Sequence, residues 1–344
     1  MLRPALLGLA SLLACDSASV APPAAAPPAG ASADAKPVPR DTSSRPGPEE
    51  HAPGDMPSKP PEPAAEPVPA DSSAAEPVPP LTQYTWLTEA GGAPPAREQL
   101  AAAIAPPAGA RRVPLANGSF GAWLRGLPLL PADAPVLLFN GETKPNQSGH
   151  HRVVDIDVGD RDLQQCADAV MRLRVEYQWA ADQRRAIAFK LTDGTPWDFT
   201  SYLGGTRLKL VGKKAQRVPG SPRPATRETL RGYMRTLFTY AGTASIAAEL
   251  PRRELAALTA GDVLVQGGFP GHAVLVLDIA EDDRGARYLL LGQSYMPAQQ
   301  FHVLKNPGDP ALSPWYRADA LAAGAMTPEW GPFTDRDLRR FRDG

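Results

Sequence analysis

Eighteen of the chain's forty prolines fall between Asp16 and Pro80, in a stretch that contains no Phe, Tyr or Trp. Proline fixes φ and removes a backbone donor, so neither a helix interior nor a central strand can run through such a segment. Without aromatic side chains it cannot bury enough apolar surface to offset its chain entropy. Residues 16–81 are therefore read as a disordered Pro/Ala-rich tether, with runs such as Pro61-Glu-Pro-Ala-Ala-Glu-Pro-Val-Pro favouring an extended, polyproline-like chain. At about 3.1 Å per residue its full reach is on the order of 200 Å. His51 lies inside it and is set aside as a catalytic group. All the aromatic residues remain for 82–344, which is read as one globular domain.

Upstream of the tether, Met1-Leu-Arg is followed by the almost wholly apolar Pro4 to Ala14 and then Cys15. One basic residue before a short apolar run is a secretory pattern, and the run is too short for a permanent transmembrane helix. Leu12-Leu13-Ala14-Cys15 resembles a bacterial lipobox. That resemblance implies a lipoprotein signal peptide over residues 1–15 and lipidation of Cys15, with several acyl chains holding the protein to a membrane. The expected location is the bacterial cell envelope, exported and lipid-anchored on the periplasmic face. Asp16 resembles an inner-membrane retention signal of some lineages, so the leaflet is left open. Expected partners are the membrane and, within the tether's reach, peptidoglycan or envelope proteins. With 36 Lys+Arg against 37 Asp+Glu, the net charge of −1 gives no electrostatic footprint for nucleic acid.

Along the globular part, the Ala-rich Arg97 to Ala105 reads as a helix, and Ser119 as the N-cap of a short helix before Pro128. Val136 to Phe139 and Val153 to Val158 read as strands, the second placing Asp155 and Asp157 on its polar face. A helix capped by Asp160 or Asp162 is expected to run to about Trp179. Leu163, Cys166, Val170, Leu173 and Tyr177 lie on its apolar stripe, while Arg172, Glu176 and Gln178 face outward. Trp197 to Val211 reads as irregular, Lys213 to Thr226 as a loop, Arg227 to Tyr240 as a helix, and Thr243 or Ser245 as the cap of another. Then come three closely spaced strands: Asp262 to Gln266, Gly271 to Ile279 and Arg287 to Gln293, the middle one too apolar to have a solvent face. The fold class expected is α+β, with helices packed on an antiparallel β-meander.

The meander carries the chemistry. A hairpin turn midway between Asp283 and Arg284 pairs positions that sum to about 567, which sets His272 opposite residue 295 and makes Gln293 and Tyr295 its cross-strand or diagonal neighbours. A glutamine oxygen that accepts from one ring nitrogen leaves the other free to take a proton. Two cysteines exist, and lipid would consume Cys15. Cys166 is then left unpaired in an exported compartment, so it is either a buried inert thiol or a nucleophile. An imidazole within reach would lower its pKa toward neutrality.

At Cys166, Gly261-Asp262, His272 and Gln293 the order of residues resembles papain-like NlpC-type and CHAP-type cysteine hydrolases, over roughly residues 160–300. The resemblance implies a papain-like fold and a Cys-His-Gln site acting on amide or ester bonds, with cell-wall peptide a plausible substrate. Cys166 would be the nucleophile, His272 the base and acid, and Gln293 the orienter; Gln164, Gln165 or the Cys166 N–H would serve the oxyanion. At Leu163-Gln-Gln-Cys-Ala-Asp-Ala-Val-Met-Arg-Leu-Arg, Tyr240-Ala-Gly-Thr, Pro270-Gly-His-Ala and Gln293-Ser-Tyr-Met-Pro-Ala-Gln the chain is similar to a bacterial family of domains of unknown function, over most of 115–317. That likeness implies a fold family and no activity.

Other groups stand apart. Trp197 and Arg207, with Tyr202, read as a glycan-stacking surface, and Tyr295 as a further substrate contact; the rival to an enzyme is an envelope-binding or scaffolding module using these and Ser294 to Gln300. Trp315 and Trp330 read as core or flank. His150-His151 with Asp155 and Asp157 lack compact ligand spacing, so no metal is expected, and no cofactor is implied.

Overall fold

A computed structural model describes residues 78–89 and 91–342. The expected signal peptide, the expected lipidation site Cys15 and nearly all of the expected tether lie outside the described residues. Among the described residues an eight-stranded sheet organises the chain: β1 (Ala110–Arg112), β2 (His150–Val153), β3 (Val263–Gln266), β4 (His272–Asp282), β5 (Arg287–Gln293), β6 (His302–Leu304), β7 (Trp315–Arg317) and β8 (Leu338–Arg339). The order is β8-β3-β4-β5-β6-β2, with β7 also on β5 and β1 also on β4, and every pairing is antiparallel. This is an α+β fold whose centre is the expected meander.

Alternation along β3 and β4 assigns each side chain to a face. Val263, Val265, Ala273, Leu275 and Leu277 pack into the helical layer, while Leu264, Val274, Val276 and Ile279 pack under the C-terminal segment with Tyr316, Leu321 and Phe333. Both faces are covered, which explains why β4 reads as continuously apolar. A register shift between Val276 and Asp278 interrupts the alternation. There the fully buried Asp278 carboxylate takes Arg112 Nε at 2.6 Å and Arg125 Nε at 2.7 Å. That pairing fixes β1 and helix α1 (Phe120–Arg125), whose cap Ser119 accepts from Ala122 N at 3.2 Å.

Helix α2 (Cys166–Ala180) lies against β4; α3 (Arg227–Tyr240) and α4 (Thr243–Glu249) complete that layer. Three expectations about α2 and its entry are corrected. The helix begins at Cys166, not at Asp160 or Asp162, because Asp168 turns back to accept from Gln165 N at 3.1 Å and caps the helix there. Arg172, Glu176 and Gln178 are buried rather than outward. They can be, because Glu176 accepts from Arg172 Nε at 2.8 Å and from Arg227 Nη1 and Nη2 at 2.6 and 2.9 Å. The third concerns the segment leading into the helix: the strand there is His150–Val153, and Asp155 and Asp157 follow it in irregular chain.

Further differences are local. Val136 to Phe139 makes isolated bridges to Thr143 and Gln299 instead of a strand. The helix expected over Arg97 to Ala105 is reduced to Leu100–Ala103. The stretch Trp197 to Val211, read as irregular, is instead ordered: Pro196–Asp198 pairs with the strand Ala188–Lys190, a helix follows at Phe199–Leu203, and Arg207–Val211 forms a second hairpin with Lys214–Val218, inside the stretch read as a loop. Gly212 (φ +61°) sits in the turn of the second hairpin, where the left-handed region suits a residue without Cβ.

Candidate active site

The hairpin arithmetic places the site. Leu275 pairs with Gly292 and Val276 with Leu291, which is the expected register, so His272 and Gln293 emerge on the same face beyond the last β4–β5 pair. His272 Nε2 lies 2.7 Å from Gln293 Oε1. Gln293 Nε2 donates to Glu329 Oε2 at 2.7 Å, and Lys144 Nζ lies 2.6 Å from Glu329 Oε1. A carboxylate only accepts, so the Gln293 amide nitrogen must face Glu329 and its oxygen must face the imidazole. His272 therefore donates from Nε2, and Nδ1 carries the lone pair. Rings of Tyr295, Trp330 and Phe333 surround the imidazole at centroid distances of 4.9, 5.4 and 6.1 Å. Burial lowers its pKa to about 4, against the Gln293 bond, which raises it.

Cys166 enters from the helical layer as the first residue of α2. The N–H groups of Ala273, next to His272, and of Ala167 and Cys166 act on the sulfur and favour its thiolate; burial, and then Asp168, outweigh them and push the thiol up to about 11. The expectation of a thiol lowered toward neutrality is thus corrected: the residue is only 8% exposed, and His272, itself held neutral by burial, is not among the groups that lower it. Tyr295 joins the same cluster, since its phenol is raised by burial and further by Glu329 and Cys166. Its hydroxyl donates to the Glu329 carbonyl at 3.2 Å.

The expected oxyanion glutamines are otherwise engaged. Gln164 is buried, and its Oε1 accepts from Arg172 Nη1 at 2.8 Å. Gln165 Nε2 donates to Asp162 Oδ1 at 3.0 Å. The donors that remain are the backbone N–H groups of Cys166 and Ala167 at the start of α2, which have no intrahelical partners, and that of Ala273 in β4. Trp197 is also corrected as an open stacking surface: it is fully buried and stacked on Tyr233 at 5.8 Å. Arg207 bonds to the carbonyls of Tyr202, Thr206 and Ser221, and Trp197 pairs with Phe189 and stacks on Tyr233, so neither joins the His272 cluster.

Lys144 and Glu329 carry no sequence signal as site residues, since they come from loops with no motif around them. Trp330, expected as core or flank, packs against the apolar cluster under β3 and β4 and also on the imidazole. The nearest thing to a signal is a carboxylate beside that tryptophan near the C-terminus. Asp155 is held by Arg97 Nε at 2.6 Å, and Asp157 by Arg172 and Arg231 at 3.1 and 2.8 Å. Each carboxylate is thus taken by guanidinium, and no group of three potential metal ligands occurs among the described residues.

No curated protein and no solved structure matches the chain. The profile of one family, a domain of unknown function numbered 4846, matches residues 100–340, most of the globular part and all of the cluster just described. The chain belongs to the DUF4846 family.

Proposed function

We propose that this protein is a thiol hydrolase of the bacterial cell envelope, held to a membrane through Cys15, with a papain-like Cys166-His272-Gln293 site that cleaves amide or ester bonds. The observation that carries this reading is the bond from His272 Nε2 to Gln293 Oε1 at 2.7 Å, which leaves the Nδ1 lone pair free one residue from Ala273, whose N–H favours the Cys166 thiolate. In the reaction Cys166 Sγ attacks the carbonyl carbon as its proton passes to His272 Nδ1. The carbonyl oxygen gains negative charge and is held by N–H groups at the start of α2. The imidazolium then protonates the leaving amine or alcohol, leaving a thioester. Water attacks the thioester, giving its proton to Nδ1, and the carboxylic acid leaves as the thiol is restored. Because thiol and imidazole are both neutral at rest, His272 acts as a general base during attack, without a preformed ion pair.

The tether and lipobox put cell-wall peptide within reach, and that is the proposed substrate. The test is release of new amino groups from purified sacculi by the full chain. Wild type is expected to release them, and Cys166→Ala is expected to lose at least about a hundredfold in rate; equal release by the two proteins would overturn the reading.

One observation favours a binding module instead: the sulfur's burial and raised pKa. On that reading Cys166→Ala retains sacculus binding, and no hydrolysis is seen with either protein.

A further inference from the structure

Away from the Cys166 cluster, four arginines converge where α3 meets the segment from Trp197 to Arg223. Arg161, Arg207, Arg223 and Arg235 line a cavity of about 340 Å³ whose other walls include Tyr202, Thr236 and Tyr240. No acidic residue lines it. The arginines on the neighbouring stretch of α2 and α3 are neutralised by contrast: Arg172 and Arg227 share Glu176, and Arg231 is held by Glu89 and Asp157. Among the described residues, none of these four has a carboxylate at ion-pair distance.

Three of the four, Arg207, Arg223 and Arg235, are also gathered around Tyr202 and Gly232. The guanidinium carbons of Arg207 and Arg223 lie 4.9 and 5.0 Å from the centre of one ring, that of Tyr202. Tyr202 further accepts a hydrogen bond from Arg223 Nη1. Arg223 Nη1 and Arg235 Nη2 each lie 3.7 Å from the point a Cβ on Gly232 would occupy, so they are no farther apart than twice that distance. Gly232 keeps the space between them open. Like charges held together around a hollow, with no acid to relieve them, make a site for an anion of more than one charge. The guanidinium fork matches phosphate oxygens.

This cavity shares Arg161, Leu163 and Arg235 with a second, larger one of about 480 Å³. The larger cavity is walled by Leu138, Phe139, Val158, Met234 and Phe238, and its volume is in the range of small-molecule sites. Two of its arginines, Arg172 and Arg231, are paired with Asp157, which lines the cavity together with Asp160. A cationic pocket thus opens beside an apolar one, with two arginines common to both.

We infer that the paired cavities bind a phosphorylated amphiphile, its phosphate among Arg161, Arg207, Arg223 and Arg235 and its apolar body against Met234 and Phe238. The phosphate can belong to a lipid headgroup in a bilayer or to a dispersed molecule. Calorimetric titration of the full chain with dihexanoyl phosphatidic acid below its micelle concentration tests the site itself. Saturable binding is expected, with affinity falling at least about tenfold in Arg161→Ala/Arg235→Ala and at least about tenfold in 1 M NaCl. Arg217→Ala, at an exposed pair outside both cavities, is expected to bind as wild type. Inorganic phosphate is expected to bind at least tenfold more weakly, and binding as tight as the lipid's would overturn the apolar half of the site. Absence of phosphatidic acid binding, or binding unaltered in the double variant, would overturn the whole inference. Flotation of the Cys15→Ala chain with phosphatidylcholine vesicles, with and without phosphatidic acid, separates the sources. Acid-dependent flotation that is lost in Arg161→Ala/Arg235→Ala assigns a bilayer lipid, whereas flotation indifferent to the acid assigns a dispersed ligand.

Discussion

At the scale of single residues, the site combines groups that the fold keeps uncharged. His272 is held down to about 4 and His302 to about 3, in both cases chiefly by burial, so the native state refuses protons that the unfolded chain accepts below its ordinary histidine pKa of about 6.5. Their stabilisation is present above that value and is lost as pH falls toward 4, about 3 kcal/mol for His272 alone. Cys166 behaves oppositely. Raised to about 11 from an ordinary value of 9.0, it stabilises below pH 9 and loses that contribution as pH rises toward 11. Urea midpoints measured from pH 4 to 11 are expected to form a plateau near neutrality, and His272→Gln is expected to flatten its acid side. A profile that stays level from pH 7 to 4 would show that the imidazole is not held neutral by the fold. Cys166, His272 and Gln293 are legible in the sequence because strand register and cysteine scarcity are local or countable properties. Glu329 and Lys144 are not, since a loop that folds back over a sheet end leaves no periodic trace.

At the scale of elements, α2 departs from its periodic reading at both its start and its outer face, for one reason. Periodicity assigns charged positions to solvent, yet Arg172 and Glu176 are buried because α3 supplies Arg227 to complete the pairing. Burial raises the Glu176 carboxyl, but Arg172 and Arg227 outweigh it and hold the group below its ordinary pKa. Removing the shared acid leaves two guanidinium groups without their main partner. Glu176→Ala is expected to cost about 3–5 kcal/mol in urea unfolding, with most of the loss recovered when Arg172 and Arg227 are also replaced by apolar residues. A loss below about 1 kcal/mol would mean that water takes the acid's place. The helix start is hidden in the same way: Asp168 capping backward onto Gln165 competes with the better-looking caps Asp160 and Asp162, and the latter's Oδ1 is occupied by Gln165 Nε2 and, through a tertiary bond, by Ala298 N at 2.7 Å.

At the scale of the whole molecule, the meander and its hairpin register are readable because three apolar runs with short turns permit few topologies. Its extra partners, β1 on one side and β7 and β8 from the C-terminal segment, are not, since strands of two or three residues carry too little pattern. The first described residues already belong to the core. Tyr84 is fully buried and donates to Trp123 O at 2.8 Å, and Trp86 Nε1 donates to Asp155 O at 2.6 Å. A chain beginning at Gly91 loses both rings and is expected to be at least about 3 kcal/mol less stable than one beginning at Val78, read as a shift in urea midpoint. Equal midpoints would show that residues 78–89 add nothing to the core. The same architecture brings the thiol from the helical layer and the imidazole from the sheet, so their coupling is the most direct probe of the proposed function. The decisive measurement is the rate at which iodoacetamide modifies Cys166 in the folded full chain at pH 7.5, with peptide mapping to separate it from Cys15. With His272 taking the proton as the thiol attacks, wild type is expected to label at Cys166 slowly, below the rate of an exposed thiol, and His272→Ala at least tenfold more slowly still, with an unchanged far-UV spectrum. Equal rates in the two proteins, or modification of Cys166 only after unfolding, would contradict the assignment of Cys166 and His272 as nucleophile and base.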